Sequence, residues 1–288
     1  MHVEHLLTVQ NVLGEGPMWH VGEQALYWVD IQSDCFYRYF RATGKVERFD
    51  VGIMVGTLVF RQAGGFLLAT RDGFAQWDLD TQQLVFVGDP EADKATRFND
   101  GAVDANGRFW AGTMGMQGQG AVAALYRLDP DYSLHTIETG VTVSNGTGWS
   151  PDLKTMYYTD SPTRTIFAYD FDVETGAVAN KRPFAVAPEG EGFPDGLTVD
   201  SEGCIWSARW DGWRVVRYDP TGQLMETITM PVQRPTSCMF GGPSLDELYI
   251  TSASVGLSEA EKARQPQAGD LFRLKTAVKG LPEPHFAG

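Results

Sequence analysis

One pattern recurs six times along this 288-residue chain, starting at Glu15, Gly56, Arg97, Ser144, Phe193 and Thr236, with successive starts 41 to 49 residues apart. Each pass opens on a small polar segment, runs into an apolar strand and turns. The turns include Asp104–Gly107 (DANG), Ser150–Lys154 (SPDLK) and Asp200–Gly203 (DSEG). A second strand follows (ALYWVDI, GFLLAT, RFWAGTM, TMYYTD, CIWSARW, ELYITSA), then a third (CFYRYF, GFAQWDL, ALYRLD, IFAYDF, RVVRYD, DLFRL). Segments such as ATGK, ETGA and PTGQ lead into a short fourth. Four short strands in each pass of roughly 40–50 residues is the period of a propeller blade.

The expectation is an all-β fold: a six-bladed β-propeller with four antiparallel strands per blade, residues 1–288 forming one domain. The leading Glu4–Gln10 (EHLLTVQ) has no blade of its own. It is expected to complete the last blade, because an unpaired sheet edge is a liability. A β-sandwich leaves six equivalent passes unexplained. No stretch sustains helical periodicity over three turns, and Leu257–Gln265 allows one brief helix at most.

Ring closure carries a functional consequence. In a propeller the first strand of every blade lines the central channel, so residues at one repeat position converge at one mouth. That position reads GEGPMW (Glu15), NDGAVD (Asn99, Asp100), SNGTGW (Asn145) and PDGLTVD (Asp195), while Gly56 and Cys238 in the other two passes offer no hard ligand. Asp-Gly and Asn-Gly are common turn dipeptides, but here they precede strands at equivalent positions. Carboxylates brought so close repel unless neutralised, and a single divalent cation resolves the repulsion with the oxygen ligands it prefers. Ca2+, Mg2+, Mn2+, Zn2+ and Fe2+ all remain open; the lack of His and Cys argues only against a closed structural zinc site.

Other chemistries find no support. There is no G-x-S-x-G, H-E-x-x-H, P-loop or G-x-G-x-x-G segment, and the five histidines form no ligand-spaced cluster. Asp30 and Asp160, at the ends of second strands, are read as acceptors for local backbone donors. Arg209–Trp213 (RWDGW) is the aromatic segment expected near the mouth. A formal charge of −14 disfavours nucleic acid and anionic membranes as partners. The start, MHVEHLLTVQNV, has neither a basic region nor a long apolar stretch. The longest uncharged window, Phe109–Tyr126, carries four glycines and reads as strand, loop, strand. These features predict a soluble cytoplasmic protein, a monomer or weak homo-oligomer. Cys35, Cys204 and Cys238 are expected to be buried free thiols.

The segments LGEGPMW, RFNDGAVDANGRFWAGTM, SNGTGWSPDLKTMYYTDS and FPDGLTVDSEGCIW closely resemble the gluconolactonase, regucalcin and senescence-marker-protein family. The resemblance covers nearly the whole chain. In length and in segments such as CMFGGPSLDELYITSA, bacterial sugar lactonases such as xylonolactonase look most similar. It implies a six-bladed propeller holding one divalent cation and hydrolysis of sugar lactones, with Glu15, Asn145 and Asp195 as metal ligands and Arg97 and Asn99 facing substrate. Some relatives carry an acidic residue after the AGTM strand that contacts sugar hydroxyls. This chain has GMQGQGAVAA there, which leaves Gln117 or Gln119 for that role.

These parts suggest a mechanism in which the cation polarises the lactone carbonyl. Asp195 is then the general base, Glu15 mainly balances charge, and Asp100 braces its loop. The alternatives are a metal-dependent phosphotriester or other ester hydrolase at the same site, a cation-binding regulatory propeller, and a scaffold for protein partners.

Overall fold

The computed structural model describes residues 2–92, 95–117 and 120–288. Six four-stranded antiparallel sheets are arranged as blades around a channel. The first blade consists of Gly14–His20, Ala25–Asp30, Cys35–Phe40 and Val46–Asp50, running from the channel outward. Its inner strand contacts Val55–Phe60 of the second blade on one side and Pro235–Gly241 of the sixth on the other, so the ring is closed. The six inner strands begin at Gly14, Val55, Thr96, Ser144, Phe193 and Pro235, each within one residue of the start read from the repeat.

The sixth blade is built from both ends of the chain. Pro235–Gly241, Glu247–Ser252 and Leu271–Lys275 are completed by Val3–Leu7, with Val3 opposite Leu274 and His5 opposite Phe272. The expected closure by the N-terminal strand is thus observed. The brief helix is also present as Glu259–Arg264. Its N-terminus is closed by a reciprocal capping box, in which the Ser258 hydroxyl accepts from the Glu261 N–H and the Glu261 carboxylate accepts from the Ser258 N–H.

Burial falls from the channel outward. The strands Gly14–His20 and Val55–Phe60 are buried almost throughout, whereas Val46–Asp50 at the rim of the first blade exposes every second residue. Aromatic residues on the second strands fill the gaps between blades. Trp110 meets Trp149 of the next blade edge-on at 6.0 Å, and Trp206 meets Phe240 at 5.8 Å. The two second-strand indoles, Trp110 and Trp206, also satisfy their N–H groups. Trp110 Nε1 donates to Asp104 Oδ2 and Trp206 Nε1 to Asp200 Oδ2, both at 2.9 Å. The D-x-x-G turn and the tryptophan six residues later therefore form one unit. The three cysteines are free and buried. Among the described residues no helix is long and apolar enough to cross a membrane.

Beyond the last blade the chain turns back under the ring. Gly280 bridges Asp200 of the fifth blade and Phe286 bridges Arg61 of the second, laying Leu281–Pro284 across the lower end of the channel.

Candidate active site in the central channel

All six inner strands break register with their neighbours at the same level: between Glu15 and Met18, Val55 and Thr57, Phe98 and Asp100, Asn145 and Thr147, Pro194 and Leu197, and Pro235 and Cys238. These are β-bulges, which take residues out of the ladder and re-aim their side chains. The stiff, bare Gly-Glu-Gly-Pro turn at residues 14–17 is one such bulge. Gly16 adopts φ +50, a left-handed conformation suited to glycine. At the two corresponding glycines of the fourth and fifth blades the reason is space. A Cβ on Gly146 would sit 2.8 Å from the Asp195 carbonyl, and one on Gly196 would sit 2.1 Å from Ser237 Oγ. Asn145 and Asp195 are each followed by glycine because the next inner strand passes that close.

Two aspartates fix the chain just before the bulges. Asp30 accepts the N–H groups of Val12 and Leu13, both at 2.9 Å, and Asp160 accepts those of Thr142 and Val143 at 3.2 and 3.0 Å. The residues so held lie two and three places before Glu15 and Asn145. The reading of Asp30 and Asp160 as acceptors for backbone donors holds.

The bulges bring Glu15, Arg97, Asn99, Asn145 and Asp195 together around a cavity of about 490 Å³, whose walls include Leu13, Gln32, Met114, Val143, Ser161, Pro162, Phe193, Trp210 and Val255. Glu15, Asn145 and Asp195 are 5, 4 and 3% exposed, so their polar atoms are withdrawn from bulk water. Trp210 lines this cavity while Trp213 is exposed, so half of the RWDGW expectation is met. Gln117 lies on an exposed turn outside the cavity lining. Gln119 lies outside the described residues.

Asp100 does more than brace its own backbone. Its carboxylate takes the N–H of Gly101 at 2.7 Å and lines a second cavity of about 310 Å³ below the first, with Thr57, Thr147, Ser237 and the tail residue Glu283. In the sixth blade Thr236 and Ser237, not Cys238, occupy the bulge. Thr236 Oγ1 donates to the Gly14 carbonyl at 2.6 Å, and the Cys238 thiol turns away to the Trp206 carbonyl.

Three acidic side chains, Glu15, Asp100 and Asp195, therefore share the channel. Burial raises the pKa of each. Asp100 adds to the rise at Glu15, and Glu15 and Asp100 both add to it at Asp195, because anions packed this way oppose one another's ionisation. Burial also lowers Arg97, to about 10, against the attraction of Glu15. None of the three carboxylates has a cationic side chain within salt-bridge distance among the described residues. Fully ionised, three carboxylates and one guanidinium leave two negative charges. A divalent cation is the match, and two carboxylates with one amide oxygen form a hard donor set that fits it.

The amides are ordered by a one-way series of hydrogen bonds. Arg97 Nη1 donates to Asn99 Oδ1 at 2.8 Å, and Asn99 Nδ2 donates to the Ser144 carbonyl at 2.8 Å and to Asn145 Oδ1 at 3.1 Å. Asn145 Nδ2 donates to Ser161 Oγ at 2.8 Å. Ser161 was not foreseen; its only sequence signal is its place directly after Asp160 in YTDS.

The tightest acidic grouping lies elsewhere. Among the described residues Asp200, Glu202 and Cys204 bring one ligand atom each within 4.8 Å of one another. Yet Asp200 already accepts from the N–H groups of Glu202 and Cys204, from Trp206 and from Arg217. Its charge and lone pairs are committed to the turn, so this is a structural knot.

The fold and this channel define a class: a six-bladed propeller with an acidic, amide-lined cavity at its axis. Residues 13–254 match the SMP-30/gluconolactonase/LRE-like family, and the chain belongs to that family. It is 40% identical to regucalcin of Danio rerio over 290 residues, covering 99% of this chain and 98% of that protein. It is equally 40% identical to a pentonolactonase of Haloferax volcanii over 291 residues, covering 98% and 97%. The crystal structure of a calcium-binding regucalcin from Agrobacterium tumefaciens superposes with a TM-score of 0.95 at 28% identity, covering 98% of this chain and 96% of that one.

Proposed function

We propose that the protein hydrolyses a sugar lactone, an aldono-1,4- or 1,5-lactone, to its aldonic acid with the help of one divalent cation. The observation that carries this reading is the doubly negative set of Glu15, Asp100, Asp195 and Arg97 in one channel, with Glu15, Arg97 and Asp195 around its upper cavity and Asp100 on the lower, in a chain 40% identical to a pentonolactonase. Held by Glu15, Asn145 and Asp195, the cation would polarise the lactone carbonyl and stabilise the charge that develops on its oxygen.

The chain's own residues supply the rest. Asp195 accepts the proton of the attacking water, the ring C–O bond breaks, and that proton passes to the departing ring oxygen, which becomes a hydroxyl of the open acid. In the cation-free channel, burial and two neighbouring carboxylates raise Asp195. Arg97 spends Nη1 on Asn99 and on the Phe98 carbonyl, leaving its other donors for ring hydroxyls. Asn99 has both ends of its amide engaged and offers substrate a remaining lone pair of Oδ1. Gln117 would be reached only by a substrate extending past the cavity. Trp210, Phe193, Met114 and Val255 form apolar walls against which the face of a sugar ring can rest.

The test is base uptake by stripped protein on a panel of aldonolactones, with Ca2+, Mg2+, Mn2+, Zn2+ and Fe2+ restored in turn and spontaneous opening subtracted. Turnover that appears with cation supports the reading. Cation binding without turnover on any lactone overturns it in favour of a second reading, a cation-binding regulatory propeller, which the calcium-binding Agrobacterium relative favours. Cation-dependent turnover confined to phosphotriesters or simple esters would indicate the third.

A further inference from the structure

The series of hydrogen bonds through the channel has a fixed direction. Arg97 can only donate, which assigns the oxygen end of Asn99, and the Ser144 carbonyl can only accept, which assigns its nitrogen end. Asn99 Nδ2 therefore faces an acceptor in Asn145, which makes that atom Oδ1. The remaining end of Asn145, its NH2 group, needs an acceptor inside a residue that is 4% exposed, and Ser161 Oγ is there at 2.8 Å.

The first blade supplies an internal comparison. Its turn after Asp30 and the fourth blade's turn after Asp160 are near copies. The two aspartates have φ/ψ of −112/97 and −112/99, and each starts a single 3-10 turn that ends in a left-handed residue, Asp34 and Arg164 respectively. The residue after each aspartate donates its N–H to the carbonyl of the held strand, Ile31 to Leu13 and Ser161 to Val143. The channel residues two places beyond Leu13 and Val143 are Glu15 and Asn145. A carboxylate has two equivalent oxygens and needs no orientation, and its blade carries isoleucine. An amide has unlike ends, and its blade carries serine, whose hydroxyl marks the nitrogen end.

We propose that Ser161 is a positioning residue for cation binding: by accepting from Asn145 Nδ2 it holds Asn145 Oδ1 as the amide atom presented to the channel. This rests on the cation site proposed above. Hydrogen-bond partners that orient a ligand typically contribute 10- to 100-fold in metal affinity. Ser161→Ala removes the acceptor and leaves a buried NH2 without one. Ser161→Thr keeps the hydroxyl, and Ile31 shows that the same turn accommodates a β-branched side chain.

The experiment is Mn2+ binding to stripped protein, by titration calorimetry and by the electron paramagnetic resonance of free Mn2+, for wild type, Ser161→Ala and Ser161→Thr. Thermal unfolding of each cation-free variant controls for folding. The expected result is an about 10-fold weaker Kd for Ser161→Ala and an affinity within about two-fold of wild type for Ser161→Thr, with turnover of Ser161→Ala recovering at excess Mn2+. A wild-type Kd in Ser161→Ala overturns the proposal while leaving the cation site intact. A threonine variant as weak as the alanine variant, or a raised KM for lactone at unchanged Mn2+ affinity, overturns it as well. Failure of wild type to take up Mn2+ at all would instead overturn the cation reading and this inference with it.

Discussion

Asp160 Oδ1 accepts the backbone N–H of Val143 at 3.0 Å, two residues ahead of Asn145, as Asp30 Oδ1 accepts that of Leu13 at 2.9 Å ahead of Glu15. The same clamp thus sets the entry of two channel strands. Removing either carboxylate leaves two backbone donors without their acceptor, at a cost of about 1–3 kcal/mol. Asp30→Ala and Asp160→Ala should each lower stability by about that much in urea unfolding, and both should weaken cation binding. Asp104→Ala should destabilise comparably, because it releases Trp110 and Arg108, yet leave cation affinity unchanged. Equal effects on binding from all three would show that the clamps act only through general stability.

The N-terminal strand closes the ring, so its loss should be felt everywhere. A variant lacking residues 1–7 exposes the backbone edge of Leu271–Lys275. It should unfold at lower denaturant and associate through that edge in sedimentation experiments. Retention of wild-type stability as a monomer would contradict this account of closure.

The tail residue Glu283 lines the lower cavity with no hydrogen-bond partner among the described residues, and burial pushes its carboxyl from 4.5 up to about 7. Between those values the folded chain holds a proton that the unfolded chain has released, so stability falls as pH rises through the window. Glu283→Gln cannot ionise. Its Tm should match wild type near pH 4 and exceed it at pH 8. Parallel Tm profiles for the two proteins would show that the carboxylate stays solvated.

Arg97 is predicted to act on substrate more than on chemistry. Losing a hydrogen bond from a charged group costs about 1.5–3 kcal/mol, so Arg97→Ala should raise KM for aldonolactones by about 10- to 100-fold. Its effect on kcat at saturating cation should be smaller. An unchanged KM on every active lactone would remove Arg97 from the binding site.

The ring was legible in the sequence because each blade is a local unit. Its strands are neighbours in the chain and its turns announce themselves, so six starts could be placed within one residue. Glu15, Asn145 and Asp195 were legible for a related reason, since repeat symmetry converts equal positions in sequence into proximity in space. What stayed hidden depends on contacts that no repeat encodes. Asp100 follows Asn99 directly, yet the bulge turns the two to different cavities. Ser161 looks like an ordinary residue after a strand until Asn145, sixteen positions earlier, is found to need an acceptor. Glu283 belongs to a tail outside the repeats, and only the closed ring gives it a channel to cover.

The central claim is that Asp195 moves a proton while Glu15 chiefly balances charge. Its most direct test is lactone hydrolysis as a function of cation concentration for wild type, Asp195→Asn and Glu15→Gln. Asp195→Asn keeps an oxygen of similar size but loses its basicity. At saturating cation it should remain about 10²–10⁴-fold below wild type, the usual contribution of a positioned general base. Glu15→Gln should need more cation and then recover much of its rate. Recovery of Asp195→Asn to near the wild-type rate at saturating cation would contradict the account and leave Asp195 as a ligand only.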